Sequence, residues 1–169
     1  RKGAERSPEG ALGHWMGSHQ LWVDTLYMAC PLLAGLGSAS DIDDAARQII
    51  VYAERLQDRK TGLFFHMWDW QTGERSPSLW GRGNGWILVM LSDMLLALPK
   101  DNAYHAELSG YLKEMVLRLP GLQDKATGHW YQLPVRVGQP GNYIESSCTA
   151  MFAYGILSAL QLGIVEGEA

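Results

Sequence analysis

Hydrophobic and polar positions fall into two kinds of segment that alternate along the chain. Residues 21–36, 86–98 and 146–162 are apolar on nearly every side. A helix of that kind belongs inside a packed structure. Between them lie two stretches with apolar residues at helical spacing and charges opposite. IDDAARQIIVYAERLQD, residues 42–58, carries Ala46, Ile49, Ile50, Ala53 and Leu56 on one side. AYHAELSGYLKEMVLRLP, residues 103–120, carries Leu108, Leu112, Met115, Val116 and Leu119. These read as outer helices with one wet face. Asp41 is the expected N-cap of the first. Pro120 and Gly121 are expected to stop the second.

The alternation is a repeat. QDRKTGLFF at residues 57–65 matches QDKATGHWY at residues 123–131, an offset of 66 residues, and SPEGALGHW at residues 7–15 is a fainter copy. Each copy leads through a polar, aromatic or glycine-bearing stretch into an apolar helix. The unit is loop, apolar helix, short turn, amphipathic helix and QDxxTG turn. Repeated helical hairpins build a solenoid or a closed toroid. Polar groups that collect in the loops on one face of such a scaffold are where a site is expected.

Composition narrows the class. The 169 residues suit one domain, and 47% hydrophobic with 19% charged residues marks a globular chain. The formal net charge of -4 comes from interspersed acids and bases. It supplies no basic footprint for nucleic acid and no polybasic membrane patch. The longest apolar runs, residues 87–91 and 151–156, fall far short of the ~20 residues needed to cross a bilayer. Cys30 and Cys148 lie in apolar segments and read as small buried hydrophobes. The polar opening RKGAERSPEG lacks a methionine and reads as a truncated start that reports no targeting.

Seven tryptophans are the unusual feature. Trp15, Trp22, Trp68, Trp70 and Trp80 stand near His, Asp or Gly, outside clean apolar faces. Tryptophan there offers a flat platform with one polar edge, suited to sugar rings and also to interfaces.

Three loop-to-helix junctions hold candidate chemistry. In HWMGSHQLWVDTLYMACPLL, residues 14–33, Asp24 lies just inside an apolar helix beside Trp22, Leu26 and Tyr27. It is either a carboxylate favoured by the helix dipole or one in an apolar pocket, with a raised pKa suited to giving and taking a proton. His14 and His19 alone are weak signals. In LFFHMWDW, residues 63–70, His66 precedes Asp69 by three positions, a pair that orients an imidazole or forms a surface hydrogen bond. No metal-site spacing is present, and no residue set suggests a metal or organic cofactor. In LWGRGNGWILVML, residues 79–91, Gly81, Gly83 and Gly85 would let a ligand approach the backbone. Arg82 could meet a carboxylate bidentately between Trp80 and Trp86. The bland alternative is a tight turn with a structural arginine.

LWGRGNGW, WVDTLYM with Pro31 three residues on, FFHMWD, and GNYIESSCTAMFAYGI after WYQ together resemble the glycoside hydrolase family 105 enzymes. These are unsaturated rhamnogalacturonyl hydrolases, relatives of the unsaturated glucuronyl hydrolases. The resemblance runs from about His14 to the C-terminus. It implies an all-α fold, an α/α toroid of six helical hairpins. It implies a hydrolase of lyase-generated pectin fragments such as those of rhamnogalacturonan, acting on an oligosaccharide with an unsaturated uronic acid at its non-reducing end. The implied reaction protonates the C4–C5 enol ether at C4 and adds water at C5. The hemiketal so formed rearranges and releases the next sugar, unlike the two-carboxylate glycosidase scheme. Asp24 matches the proton donor. Trp22 and Met28 match pocket walls, and His14 and His66 match substrate-binding histidines. Arg82, with Trp80 and Trp86, resembles the clamp on the uronide. Glu145 and Ser146 are expected to frame their loop.

Members of the family are about twice this length, so residues 1–169 read as a single domain, the C-terminal portion of a toroid. The portion that would supply the other hairpins and a second active-site aspartate is not among them. Three inner and two outer helices make a partial ring, and exposed inner faces favour self-association. The family resemblance also suggests a cytoplasmic setting. Two other readings compete: a non-catalytic carbohydrate-binding fragment, and an α/α-toroid sugar epimerase drawing acid and base from His14, His66 and His129.

Overall fold

The computed structural model describes residues 5–167. The first four residues of the polar opening lie outside them. The elements run β1 (Gln20–Trp22), α1 (Val23–Gly35), α2 (Ala39–Leu56), β2 (Met67–Asp69), α3 (Gly81–Ala97), α4 (His105–Leu122) and α5 (Ser146–Gln161), with a short 3-10 turn at Pro134–Arg136. The apolar helices α1, α3 and α5 pack side by side. The amphipathic helix α2 backs α1, and α4 backs α3 and α5. This is the expected helical-hairpin order, with inner and outer layers assigned as the hydrophobic pattern requires.

Glycines set the spacing of the inner layer. Gly83 lies against Val23 of α1, Gly81 against Cys148, Gly85 against Met151, and Gly155 against Leu88. Contact positions rise together along the three helices, so α1, α3 and α5 run parallel with their N-termini at one end. The core between the layers is built from side chains such as Leu26, Ile49, Tyr52, Leu88, Leu91, Leu112, Met115 and Phe152, each at most 1% exposed. Such residues contribute about 1.5–3 kcal/mol each by burial. Cys30 and Cys148 are free and buried.

The QDxxTG turns fold alike. Asp58 Oδ2 accepts from the Thr61 N–H and hydroxyl at 3.2 and 2.6 Å. Asp124 Oδ2 takes the same bonds from Thr127 at 2.9 and 2.6 Å. Gln57 and Gln123 each donate a side-chain amide to the carbonyl of the turn glycine. Gly62 and Gly128 both sit at φ +72, a conformation that glycine adopts without strain. DWQTG at residues 69–73, unnoticed in the sequence, is a further turn of this type. Asp69 Oδ1 accepts from the Gln71 and Thr72 N–H groups.

Three local expectations are corrected. Ser38, not Asp41, caps α2: its Oγ accepts from the Asp41 N–H at 3.2 Å, and Asp41 lies in the first turn. Pro120 lies inside α4, which continues to Leu122. So near a helix end proline disturbs only the final turn. Finally, two three-residue strands join the all-α plan. They pair antiparallel, with Gln20 opposite Asp69, Leu21 opposite Trp68 and Trp22 opposite Met67.

Candidate active site

The site assembles where the inner helices begin. The β1–β2 ribbon ties the loop before α3 to the start of α1, and its register continues into a bond from the Val23 N–H to the His66 carbonyl at 3.1 Å. His66 is thereby placed beside Asp24. Its Nε2 lies 2.7 Å from Asp24 Oδ2. A carboxylate only accepts, so Nε2 carries the proton. Ser76 Oγ accepts from the His66 backbone N–H at 2.9 Å and fixes the loop from behind.

Asn84 pins the same loop to α3. It is 1% exposed. Its Oδ1 accepts from the Phe64 N–H at 2.7 Å, and its amide donates to the Phe64 and Trp80 carbonyls at 3.0 Å each. That explains the asparagine at the mouth of a buried helix. It supplies the partners that the Phe64 N–H and carbonyl of the loop would otherwise lack, and adds a second bond to the Trp80 carbonyl that the Asn84 backbone N–H already meets at 3.0 Å.

Aromatic rings wall the Asp24–His66 pair. Trp22 meets His66 edge-on at 4.8 Å, and Trp80 meets it at 4.7 Å. His14 stacks on Trp22 at 5.0 Å and 15°, and Trp15 closes against both rings. Trp86, one turn along α3 from Arg82, packs on Tyr27 at 4.6 Å. The Arg82 guanidinium lies 4.6 Å from the Trp80 ring centre, a cation–π arrangement. Its Nη1 is 3.4 Å from Glu145 Oε1. Glu145 in turn caps α5, accepting from the Ser147 and Cys148 N–H groups at 3.2 and 2.7 Å. The capping role bears on Arg82 as well, since the carboxylate that starts α5 also holds the guanidinium.

The electrostatics separate the two readings of Asp24. Burial pushes the Asp24 carboxyl up, but the hydrogen bond from His66 and the charges of His66 and His14 outweigh it. The net pKa lies below the ordinary 3.8. The apolar-pocket reading requires a raised value; the histidine that the ribbon delivers reverses that sign, and the carboxylate is favoured in its ionised form. Burial lowers the His14 pKa below 6.5, against the opposing charge of Asp24 and with a smaller push from His66.

Other assignments shift too. Asp69 does not orient His66; it holds its own turn and accepts from the Gln20 amide at 3.3 Å. Gly81, Gly83 and Gly85 lie within α3 and are buried. They admit neighbouring protein atoms, not a ligand, because each faces side chains or carbonyls within 3.2 Å of an added Cβ. Trp68 and Trp70 stand apart from the pair, Trp68 under Arg55 and Trp70 against His19. His19 pairs with Glu5 at 3.2 Å. His129 is exposed and bonded to the Thr127 carbonyl. Met28 follows Asp24 by one turn on the same face of α1 and is 64% exposed, at the open side of the cluster. The structure thus brings together Asp24, His14, His66, Trp22, Trp80 and Arg82, with Trp86 one turn below.

The sequence profile of Glycosyl Hydrolase Family 88 matches residues 3–169. A family 105 glycoside hydrolase structure from C. acetobutylicum superposes with a TM-score of 0.91 at 32% identity, covering 96% of this chain and 49% of its own. Protein Atu3128 of Agrobacterium fabrum is 37% identical over 135 residues, 75% of this chain and 57% of that protein. The unsaturated rhamnogalacturonyl hydrolase YesR of Bacillus subtilis is 28% identical over 170 residues, 94% of this chain and 48% of its own length. The chain therefore spans about half the length of these relatives. It belongs to Glycosyl Hydrolase Family 88, and within that group it sides with the family 105 enzymes.

Proposed function

We propose that this chain carries the proton-donor side of a hydrolase for unsaturated uronides. Such an enzyme removes a 4-deoxy-hex-4-enuronosyl residue from the non-reducing end of an oligosaccharide left by a polysaccharide lyase, with rhamnogalacturonan fragments the leading substrate. The observation that carries this reading is the 2.7 Å Asp24–His66 pair enclosed by Trp22 and Trp80, with the Arg82 cation alongside. The named activity of the Bacillus subtilis relative supports it. In this reading Arg82 takes the uronide carboxylate, while Trp22, Trp80 and Trp86 present flat faces to the ring, with Met28 at the rim.

Asp24 gives its proton to C4 of the enol ether, and positive charge develops at C5 beside the ring oxygen. Water adds at C5 and loses its proton to the Asp24 carboxylate. The hemiketal opens and the next sugar leaves. In the free site Asp24 is held ionised by its histidines. Expulsion of water by the substrate and the nearby substrate carboxylate both raise the Asp24 pKa, so the proton is taken up as the site fills. The same reading sets the activity in the cytoplasm on imported oligosaccharides. Among the described residues no helix is long and apolar enough to cross a membrane.

A binding role without turnover is favoured by one observation. Trp15 and Met28 are 52% and 64% exposed, so the cluster is open and does not exclude water. One assay decides. The conjugated double bond of an unsaturated galacturonyl-rhamnose disaccharide absorbs in the ultraviolet, and hydration removes that absorbance. Decay with the native chain and none with Asp24→Asn is expected. Equal decay in both would overturn the role of Asp24. Binding of the disaccharide with no decay in either would favour the binding role.

A further inference from the structure

Helix α5 is capped by an uncommon choice of residue. N-cap positions favour Asn, Asp and Ser, whose short side chains fold back onto the first N–H groups. Ser38 does this for α2. At α5 the position is held by Glu145, one methylene longer than Asp. The cap is complete. Oε1 accepts from the Ser147 N–H at 3.2 Å and Oε2 from the Cys148 N–H at 2.7 Å, and the Ser147 hydroxyl lies 2.6 and 2.8 Å from the two oxygens. Asp would serve that cap as well. What the extra methylene adds is reach. Oε1 also lies 3.4 Å from Arg82 Nη1 on α3, a residue 63 positions away in sequence.

The two partners are unequal. The Glu145 backbone is pinned, its N–H donating to the Trp130 carbonyl at 3.0 Å and its carbonyl accepting from the Thr149 hydroxyl at 2.8 Å. Its side chain is 13% exposed, against 42% for Arg82. A long side chain that open to water keeps its rotamer freedom unless something holds it. Among the described residues the contact with Glu145 is the one hydrogen bond of the guanidinium, which otherwise rests over the Trp80 ring at 4.6 Å. With Nη1 engaged, the Nε–Nη2 edge is left to meet a carboxylate with two parallel bonds.

We propose that Glu145 is a positioning residue that tethers Arg82 over Trp80 and so decides which edge of the guanidinium an incoming carboxylate meets. Burial pushes the Glu145 pKa up, and hydrogen bonds from Ser147 and Cys148 bring it below the ordinary 4.5, so the anchor is charged at neutral pH. The cost of ordering the arginine is then met on folding and not on binding. A uronide as the bound anion rests on the proposed function. The tether does not.

Glu145→Asp separates the tether from the cap. It keeps the charge and a favoured N-cap residue, and it withdraws the carboxylate by one carbon–carbon bond, about 1.5 Å. Nitrogen-15 relaxation at Arg82 Nε reads the tether without any ligand. An order parameter above about 0.6 is expected in the native chain and below it in Glu145→Asp, with amide-exchange protection of α5 unchanged. Should Asp disturb α5, Glu145→Gln, which keeps the length and drops the charge, is expected to free Arg82 in the same way. A native Arg82 that is already mobile, or one equally rigid in the variant, overturns the proposal. Titration with unsaturated galacturonate, followed by tryptophan fluorescence, reads the consequence for binding. Glu145→Asp is expected to weaken it roughly 3–10-fold, and to weaken it no further in an Arg82→Gln background. Native affinity in a Glu145→Asp chain whose Arg82 is mobile would overturn the positioning role. A native chain that binds no uronide counts against the proposed function, and the relaxation measurement still decides the tether.

Discussion

At the scale of single residues, the site depends on groups that complete one another's hydrogen bonds. From a buried position the Asn84 side chain satisfies the Phe64 N–H and carbonyl, two groups with no backbone partner of their own, and adds a second bond to the Trp80 carbonyl. Leaving buried polar groups unpaired costs about 1–3 kcal/mol each. Asn84→Ala is therefore expected to lower the unfolding free energy by about 3 kcal/mol and to loosen the loop that carries His66. Denaturant unfolding reads the first effect, and a result near zero would remove Asn84 as the pin.

The charges make a second prediction. His14 has a folded pKa below its ordinary value of 6.5. Between those two values the unfolded chain binds more protons, so stability falls as pH drops through that window. Asp24 also has a folded pKa below its ordinary 3.8. Its contribution is present above 3.8 and is lost as pH falls through the lower folded value. His14→Gln is expected to flatten stability just below pH 6.5 while leaving the loss below pH 3.8. A native curve with no slope in the upper window would contradict the burial of a neutral His14. None of this pairing is written in the local sequence. His66 has Asp69 three positions away, yet its partner is Asp24, brought in by the register of two three-residue strands too short to announce themselves.

Among elements, glycine governs how close the inner helices come. A Cβ on Gly155 would lie 2.9 Å from Leu88 Cβ, an approach that real atoms do not sustain. Gly155→Ala is expected to destabilise by about 1–3 kcal/mol through overpacking, despite its better helix propensity. Gly110 in α4 has nothing within 4 Å of an added Cβ. Gly110→Ala is expected to stabilise by about 0.5–1 kcal/mol. Thermal melts of the two variants should move in opposite directions, and matching shifts would show that packing is not what distinguishes them. The division into apolar and amphipathic helices was legible because burial on all sides and burial on one side leave different periodicities. The glycines of GRGNG were not, because a packing glycine and a loop glycine look the same until a neighbour is known. Pro120 shows the same limit, since a stop signal acts through the last turn and not at a fixed residue.

For the molecule as a whole, the described residues form an arc. The faces of its two end helices are open. Met28, Leu32 and Leu36 of the α1 end are 64%, 68% and 62% exposed, and Tyr154 and Leu157 of α5 are 41% and 49% exposed. Exposed apolar faces of this kind mark contact surfaces. The arc was legible from three apolar and two amphipathic helices. What covers its ends was not, because the pattern records that a face is apolar and not which surface meets it. Self-association of the native chain is the expected outcome in light scattering, with Leu32→Lys/Leu157→Lys shifted to monomer. A native monomer at high concentration would reject it.

The parallel course of α1, α3 and α5 has one more consequence. Each helix carries a partial positive charge of roughly half a unit at its N-terminus, and all three N-termini open toward the same end. The antiparallel α2 and α4 bring their opposing ends there only in the outer layer. Asp24 in the first turn of α1 and Glu145 at the start of α5 already meet two of these ends, whereas the first turn of α3 holds Arg82 and no acidic residue. On a molecule whose formal charge is -4, an anionic sugar is expected to be drawn to the α3 end alone. Its capture then becomes a matter of long-range steering that dissolved salt weakens, whereas a neutral sugar feels no such pull.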